Sequence, residues 1–189
     1  MQGLDATLFG LINAGPSVPA WSLGLARFAS DILPALLALA IGVGALFNRR
    51  WRRVFFTAFV SVVLVWVIVN VFRSLFPIPR PAFYGLGIQW VPQGLRPGFP
   101  SLHVAGTFAA AFSLWCLPRR APMAAALAVA AVVAWSRLYL GLHFPSDVFA
   151  AMMLGALVSF MVERCISRPL AFSISRSPLV RRRSRVKRV

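Results

Sequence analysis

Long apolar runs separated by short polar connections constrain this chain before anything else does. About 20 consecutive apolar residues match the hydrocarbon thickness of a bilayer when they form a helix. Five runs approach or exceed that length: Trp21 to Phe47, with its purest part after Pro34; Val54 to Phe76; Val104 to Leu117; Met123 to Leu140; and Asp147 to Cys165. The third is short unless Ser101 to His103 form its first turn. Leu4 to Asn13 is apolar but only about three turns long, which predicts an interfacial helix rather than a span. It does not read as a signal peptide, because no basic segment precedes it and the long apolar run begins too late. The expectation is an all-α polytopic membrane helix bundle over residues 1–166, with about five transmembrane helices and a short N-terminal interfacial helix. A basic tail over residues 167–189, disordered when free, completes the chain.

Composition sharpens this. Of 189 residues 59% are hydrophobic, and 20 Lys+Arg face only 4 Asp+Glu. A soluble domain needs a mixed-sign charged shell, which this chain lacks. Its basic residues also sort by position. Arg49, Arg50, Arg52 and Arg53 lie between the first two spans, and Arg119 and Arg120 between the third and fourth. Arg164, Arg168, Arg176, Arg181, Arg182, Arg183, Arg185, Lys187 and Arg188 lie in or near the tail. If five spans are correct, 15 of the 20 basic residues fall on one side. That side is predicted to be cytoplasmic, since cytoplasmic loops keep an excess of Lys and Arg. The tail reads as a topology signal resting on anionic lipid. Nucleic-acid binding is disfavoured, because aromatic residues are not interleaved with the basic run.

Arg27, Arg73, Arg80, Arg96 and Arg137 are left over, and four of them fall on the outward side, against the topological rule. The same connections hold both histidines, His103 and His143, and the acid Asp147. Ionisable groups near membrane depth are costly and mark functional sites. Guanidinium groups beside two imidazoles and one carboxylate, with no metal-ligand set, read as a phosphate site, because Arg presents a planar fork to phosphate oxygens. No metal or other cofactor is expected. Cys116 and Cys165 sit in apolar surroundings without metal-ligand or disulfide spacing. His143 and Asp147, four residues apart, share one helix face, with Pro145 suited to the first turn of the fifth span. A carboxylate held against one imidazole nitrogen fixes the tautomer and leaves the other nitrogen free to attack.

Three segments carry a family resemblance. Arg73-Ser-Leu-Phe-Pro-Ile-Pro-Arg80-Pro81, Pro100-Ser101-Leu102-His103, and Ser136-Arg137 followed at fixed spacing by His143 and Asp147 resemble the three-part signature of the type 2 phosphatidic acid phosphatase superfamily. That signature reads K-x-x-x-x-x-x-R-P, P-S-G-H and S-R-x-x-x-x-x-H-x-x-x-D. Each part is weak alone; all three in order are specific. Arg73 departs from the usual Lys, keeping the charge but changing the grip, and Leu102 replaces the usual Gly. The resemblance implies that His143 is the nucleophile, that Asp147 orients it, and that His103 protonates the leaving oxygen. It further implies that Arg73, Arg80, Ser101, Ser136 and Arg137 hold the phosphoryl oxygens, with hydrolysis of a phosphohistidine and no metal.

An outward site beside apolar spans implies a lipid phosphate substrate. Within the superfamily the chain most resembles small bacterial undecaprenyl-diphosphate phosphatases of the bacitracin-resistance type, which implies the bacterial inner membrane. Lipid A phosphatase or phosphotransferase, phosphatidylglycerophosphate phosphatase and phosphatidate phosphatase are the alternatives. The connection from Ala82 to Phe99, with Phe83, Tyr84, Trp90 and Arg96, is long enough for a lid or a head-group contact, Arg96 being a candidate second phosphate contact. The three aromatics are also what an interfacial belt looks like. A transporter or structural membrane protein, with charges paired inside its spans as Arg27 and Asp31 would be at i, i+4, is the reading from another class.

Overall fold

In the computed structural model, backbone is described for residues 2–94 and 96–174, and side chains for residues 3–94 and 96–167. Seven α-helices make up the described fold: α1 Gln2–Ile12, α2 Ala20–Asp31, α3 Leu33–Phe47, α4 Arg49–Leu75, α5 Leu102–Phe112, α6 Ala121–Tyr139 and α7 Pro145–Ile174. Single 3₁₀ turns follow Arg80 (Pro81–Tyr84) and continue α5 (Ser113–Cys116). The all-helical membrane architecture expected from the apolar runs is present. Helix α7 runs on to Ile174, beyond the boundary read at residue 166, and residues 175–189 of the basic tail lie outside the described residues.

The spans differ in detail from five equal rods. Helices α4, α6 and α7 are each long and apolar enough to cross a membrane, and α2 and α3 reach that length only as a pair, bent by 42° at the break between them. The bend has a covalent cause. Pro34 has no N–H to give to the carbonyl of Ser30, so the helix ladder is interrupted inside the first apolar run. Helix α5, even with its 3₁₀ turn, is shorter than a bilayer. It sits inside the bundle instead, packed against α4, α6 and α7, with Val104, Ala105, Thr107 and Phe108 through Ala111 buried. Small residues allow that depth, as is usual where membrane helices pack. At Gly155 of α7 an added Cβ would lie 2.4 Å from the carbonyl oxygen of Ala105. Outward faces carry apolar side chains, among them Phe56, Phe59, Trp66, Phe149 and Leu157, as lipid contact requires.

Two polar clusters mark opposite ends of this bundle. At one end Arg53 pairs with Glu163 and donates to Ser167 Oγ, while Thr57 donates to Glu163 at 3.1 Å, tying α4 to α7. Arg73 lies twenty residues further along α4, roughly 30 Å at 1.5 Å per residue, close to the hydrocarbon thickness of a bilayer. Every motif residue gathers at that second end.

Helix α1 is docked rather than free at an interface. Asp5 accepts from the backbone N–H and hydroxyl of Ser146, at 3.0 and 2.5 Å, in the first turn of α7, where a carboxylate meets unpaired amides and the positive end of the helix dipole. Phe9 is buried edge-on to Phe144. Asn13 spends its amide on three backbone groups, donating to the carbonyls of Ile88 (3.0 Å) and Tyr139 (3.1 Å) and accepting from Ile88 N–H (2.7 Å). Gly141, at φ 74°, allows this crowding, since a Cβ there would meet Ile88 O at 2.1 Å.

Candidate active site

The site is built from the ends of four helices and two loops. His143 lies in the short loop between α6 and α7, and Asp147 in the first turn of α7; both are buried, at 1% and 2% exposed. Nδ1 of His143 is 3.3 Å from Asp147 Oδ2, which also accepts from Phe144 N–H at 2.9 Å. A carboxylate only accepts, so Nδ1 carries the proton and Nε2 is the free-base nitrogen. Burial pushes the His143 imidazole well below the usual histidine value, and the charges of Arg137, Arg80 and Arg73 act in the same direction. The ring is therefore neutral at pH 7. That is the state a nucleophilic imidazole needs.

Three guanidinium groups surround this pair, each held by backbone or by a hydroxyl rather than by a carboxylate. Arg73, at the C-terminal end of α4, donates to the carbonyls of Gly98 (3.2 Å) and Pro100 (2.7 Å). Arg80 donates from Nε to Arg96 O and from Nη1 to Leu142 O, both at 3.1 Å. Its pKa is lowered to about 10, first by burial and then by Arg73, with Asp147 opposing, so it stays charged at neutral pH. Arg137, in the last turn of α6 and 2% exposed, donates from Nη1 to Ser30 Oγ at 2.5 Å. Among the described residues none of the three is paired directly with a carboxylate, which leaves their donors for an anion.

Ser101 caps α5 and is fully buried, and its N–H donates to Asp147 O at 3.3 Å. Its hydroxyl makes no cap hydrogen bond, leaving the first-turn amides of α5 free for an anion. Six buried side-chain polar atoms lack a partner among the described residues, and three are Ser101 Oγ, Arg73 Nε and Arg137 Nε. The other three lie on α4 and α7. Unpartnered buried donors converging on one place are costly unless a ligand uses them.

His103, in the first turn of α5, is exposed, in contrast to His143. Its neighbourhood includes Arg137, Asp31, Arg73 and Arg80, whose charges all act on it. Of the predicted site residues, Ser136 is the one whose hydroxyl proton is committed elsewhere, donating to Val133 O at 2.7 Å. Arg96 is set apart. Its carbonyl holds Arg80, while its side chain is exposed and borders a cleft of about 340 Å³ together with Arg80, Gln89 and Gln93. In the same connection Phe83 and Tyr84 are exposed, whereas Trp90 turns inward and donates to Ala14 O at 3.0 Å. The i, i+4 pair considered for Arg27 and Asp31 is not formed. Arg27 donates to Trp90 O at 3.1 Å, and Asp31 accepts from Ser30 Oγ at 2.8 Å.

Three participants escaped the sequence reading. Gly98 carries the loop so close that a Cβ would come 2.9 Å from Arg80 Cγ and 3.4 Å from Asp147 Oδ2; its one signal was its place two residues before the Pro100 motif. Ser30 and Asn13 gave none. No group of three or more His, Cys, Asp or Glu able to hold a metal occurs among the described residues.

A helical membrane bundle with a buried His–Asp pair inside a ring of arginines at one end defines a membrane phosphatase built to grip phosphate. Comparison with known proteins agrees. Residues 53–170 match the model of the PAP2 superfamily, and the chain belongs to that family. It is 34% identical over 174 residues to "Putative undecaprenyl-diphosphatase YbjG" of Escherichia coli (strain K12), covering 88% of this chain and 82% of that protein. It is 41% identical over 167 residues to "Lipid A 4'-phosphatase" of Bacteroides thetaiotaomicron, covering 82% of this chain and 73% of that one. The crystal structure of Aquifex aeolicus LpxE superimposes with a TM-score of 0.71 at 22% identity, over 86% of this chain and 96% of that one, a likeness of fold.

Proposed function

We propose that this membrane phosphatase hydrolyses undecaprenyl diphosphate to the monophosphate through a phosphohistidine on His143. The observation that carries the reading is the neutral, buried His143, held at Nδ1 by Asp147 beside three arginines whose hydrogen bonds go to backbone or hydroxyl oxygens and to no carboxylate. In the first step His143 Nε2 attacks the terminal phosphorus, forming an N–P bond as the bridging P–O bond breaks. His103 gives its proton to the departing lipid monophosphate. Arg73, Arg80, Arg137 and Ser101 hold the equatorial oxygens as charge shifts onto them. Asp147 stabilises the positive charge that develops on the imidazole. In the second step water attacks the phosphorus, gives a proton to His103, and displaces His143 as inorganic phosphate leaves. The sum is one diphosphate and one water giving one monophosphate and one phosphate.

Undecaprenyl diphosphate is favoured by the relative named an undecaprenyl-diphosphatase and by the cleft bordered by Arg96 beside Arg80, where the second phosphate finds a further cation. In this reading the site end faces outward from a bacterial inner membrane and the arginine-rich end is cytoplasmic. A second reading, lipid A phosphatase, is favoured by the 41% identity to a protein of that name. Catalytic efficiencies measured in detergent on undecaprenyl diphosphate, lipid A, phosphatidylglycerophosphate and phosphatidate separate the two. Undecaprenyl diphosphate ranking first supports the proposal; lipid A ranking first replaces it with the second reading.

A further inference from the structure

The bent first span places a polar side chain against the site that the three motifs do not contain. Ser30 is the last buried residue before the break at Ile32, 1% exposed, and its hydroxyl is used in both directions. It accepts from Arg137 Nη1 at 2.5 Å and donates to Asp31 Oδ1 at 2.8 Å. A hydroxyl that donates to a carboxylate becomes a better acceptor, so the two bonds strengthen each other. Among the described residues this is the one hydrogen bond of the Arg137 guanidinium. Arg73 and Arg80 each have two, all to backbone. Of the three site arginines, Arg137 is thus the one whose aim depends on a side chain, which comes from a helix 107 positions away in sequence. Asp31, exposed at the end of α2, also lies where its charge acts on both Arg137 and His103.

We infer that Ser30 and Asp31 form a positioning relay that holds the fork of Arg137 toward the transferring phosphoryl group, making the break in the first span a working part of the site. The inference rests on the phosphatase reading above. Ser30 and Asp31 are positioning residues, acting through Arg137 and touching no substrate. A misaimed guanidinium costs most where charge is greatest, in the transition state, so kcat should fall more than KM rises.

The test is a double-mutant cycle on the full chain in detergent, following hydrolysis of undecaprenyl diphosphate and inhibition by orthovanadate, a mimic of the five-coordinate phosphoryl group. In the wild-type background Ser30→Ala should lower kcat about 10- to 100-fold, as expected for loss of a hydrogen bond to a charged group, and weaken vanadate inhibition. In the Arg137→Ala background the same change should have less than about a twofold effect, because the group it acts through is gone. Asp31→Asn, which keeps an acceptor, should lose less than Asp31→Ala; both lie at an exposed position and test the relay if Ser30→Ala does not fold. Equal losses from Ser30→Ala in the two backgrounds, or wild-type kcat in both Asp31 variants, would overturn the relay. Absence of hydrolysis by the wild-type chain on every lipid phosphate would instead overturn the phosphatase reading.

Discussion

Replacing Asp147 by Asn separates charge from shape at the centre of the site. Asn is isosteric, and its Oδ1 can still accept from Phe144 N–H, now at 2.9 Å from Asp147 Oδ2, so the turn into α7 should survive. One thing changes at His143, 3.3 Å away. The negative charge opposite the developing imidazolium disappears. Two unit charges about 4 Å apart at an effective dielectric near 20 interact by about 4 kcal/mol. With only part of that charge present in the transition state, about 2–4 kcal/mol is at stake, or roughly 30- to 1000-fold in rate. The tautomer is kept, because the oxygen that accepts from Phe144 N–H is also the one that faces Nδ1. Rapid-quench kinetics with a labelled lipid phosphate should show the burst of phosphoenzyme slowed by at least about 30-fold, with KM changed little. A burst within about fivefold of wild type would refute the reasoning, since the charge of Asp147 would then not matter.

His103→Ala should depend on the leaving group. The loss should be greater on an alkyl phosphate monoester than on undecaprenyl diphosphate, whose departing monophosphate needs less protonation; equal losses across a leaving-group series would argue against the acid role. Asn13→Ala leaves both backbone groups of Ile88 without the partners they have at 3.0 and 2.7 Å, which should cost about 2–4 kcal/mol and lower the melting temperature and kcat together; an unchanged melting curve would show that the clamp is not needed. The pH dependence follows from burial. Because the His143 pKa is lowered, the free base persists as pH falls through about 6.5, the ordinary imidazole value. The acid limb of kcat/KM, corrected for substrate ionisation, should therefore have its midpoint below about 6.5, and a midpoint at or above that value would contradict a neutral buried nucleophile.

Sequence exposed what is local or periodic and hid what is distant. His143 and Asp147 are four residues apart, and the arginines of the motifs stood out because topology could not use them. Apolar length found α4, α6 and α7 directly. It did not show the break between α2 and α3, since hydropathy is blind to the N–H that Pro34 lacks, and it left α5 ambiguous because burial by protein and burial by lipid select similar residues. Ser30 and Asn13 were illegible for another reason. Their partners lie 107 residues away for Ser30, and 75 and 126 away for Asn13, and a lone Ser or Asn near a helix end has many local uses. The length of the N-terminal segment predicts an interfacial helix. What its sequence did not reveal is that Asp5, Phe9 and Asn13 all face the loop carrying His143.

The central claim is a phosphoryl group carried covalently on His143. It is tested most directly by mixing the purified chain with undecaprenyl diphosphate labelled in its terminal phosphate, quenching in alkali, where phosphohistidine survives, and mapping the label by peptide mass spectrometry. The account predicts label on the peptide containing His143, lost on acid treatment and absent from His143→Ala. Turnover by His143→Ala, or label residing on any other side chain, would contradict it.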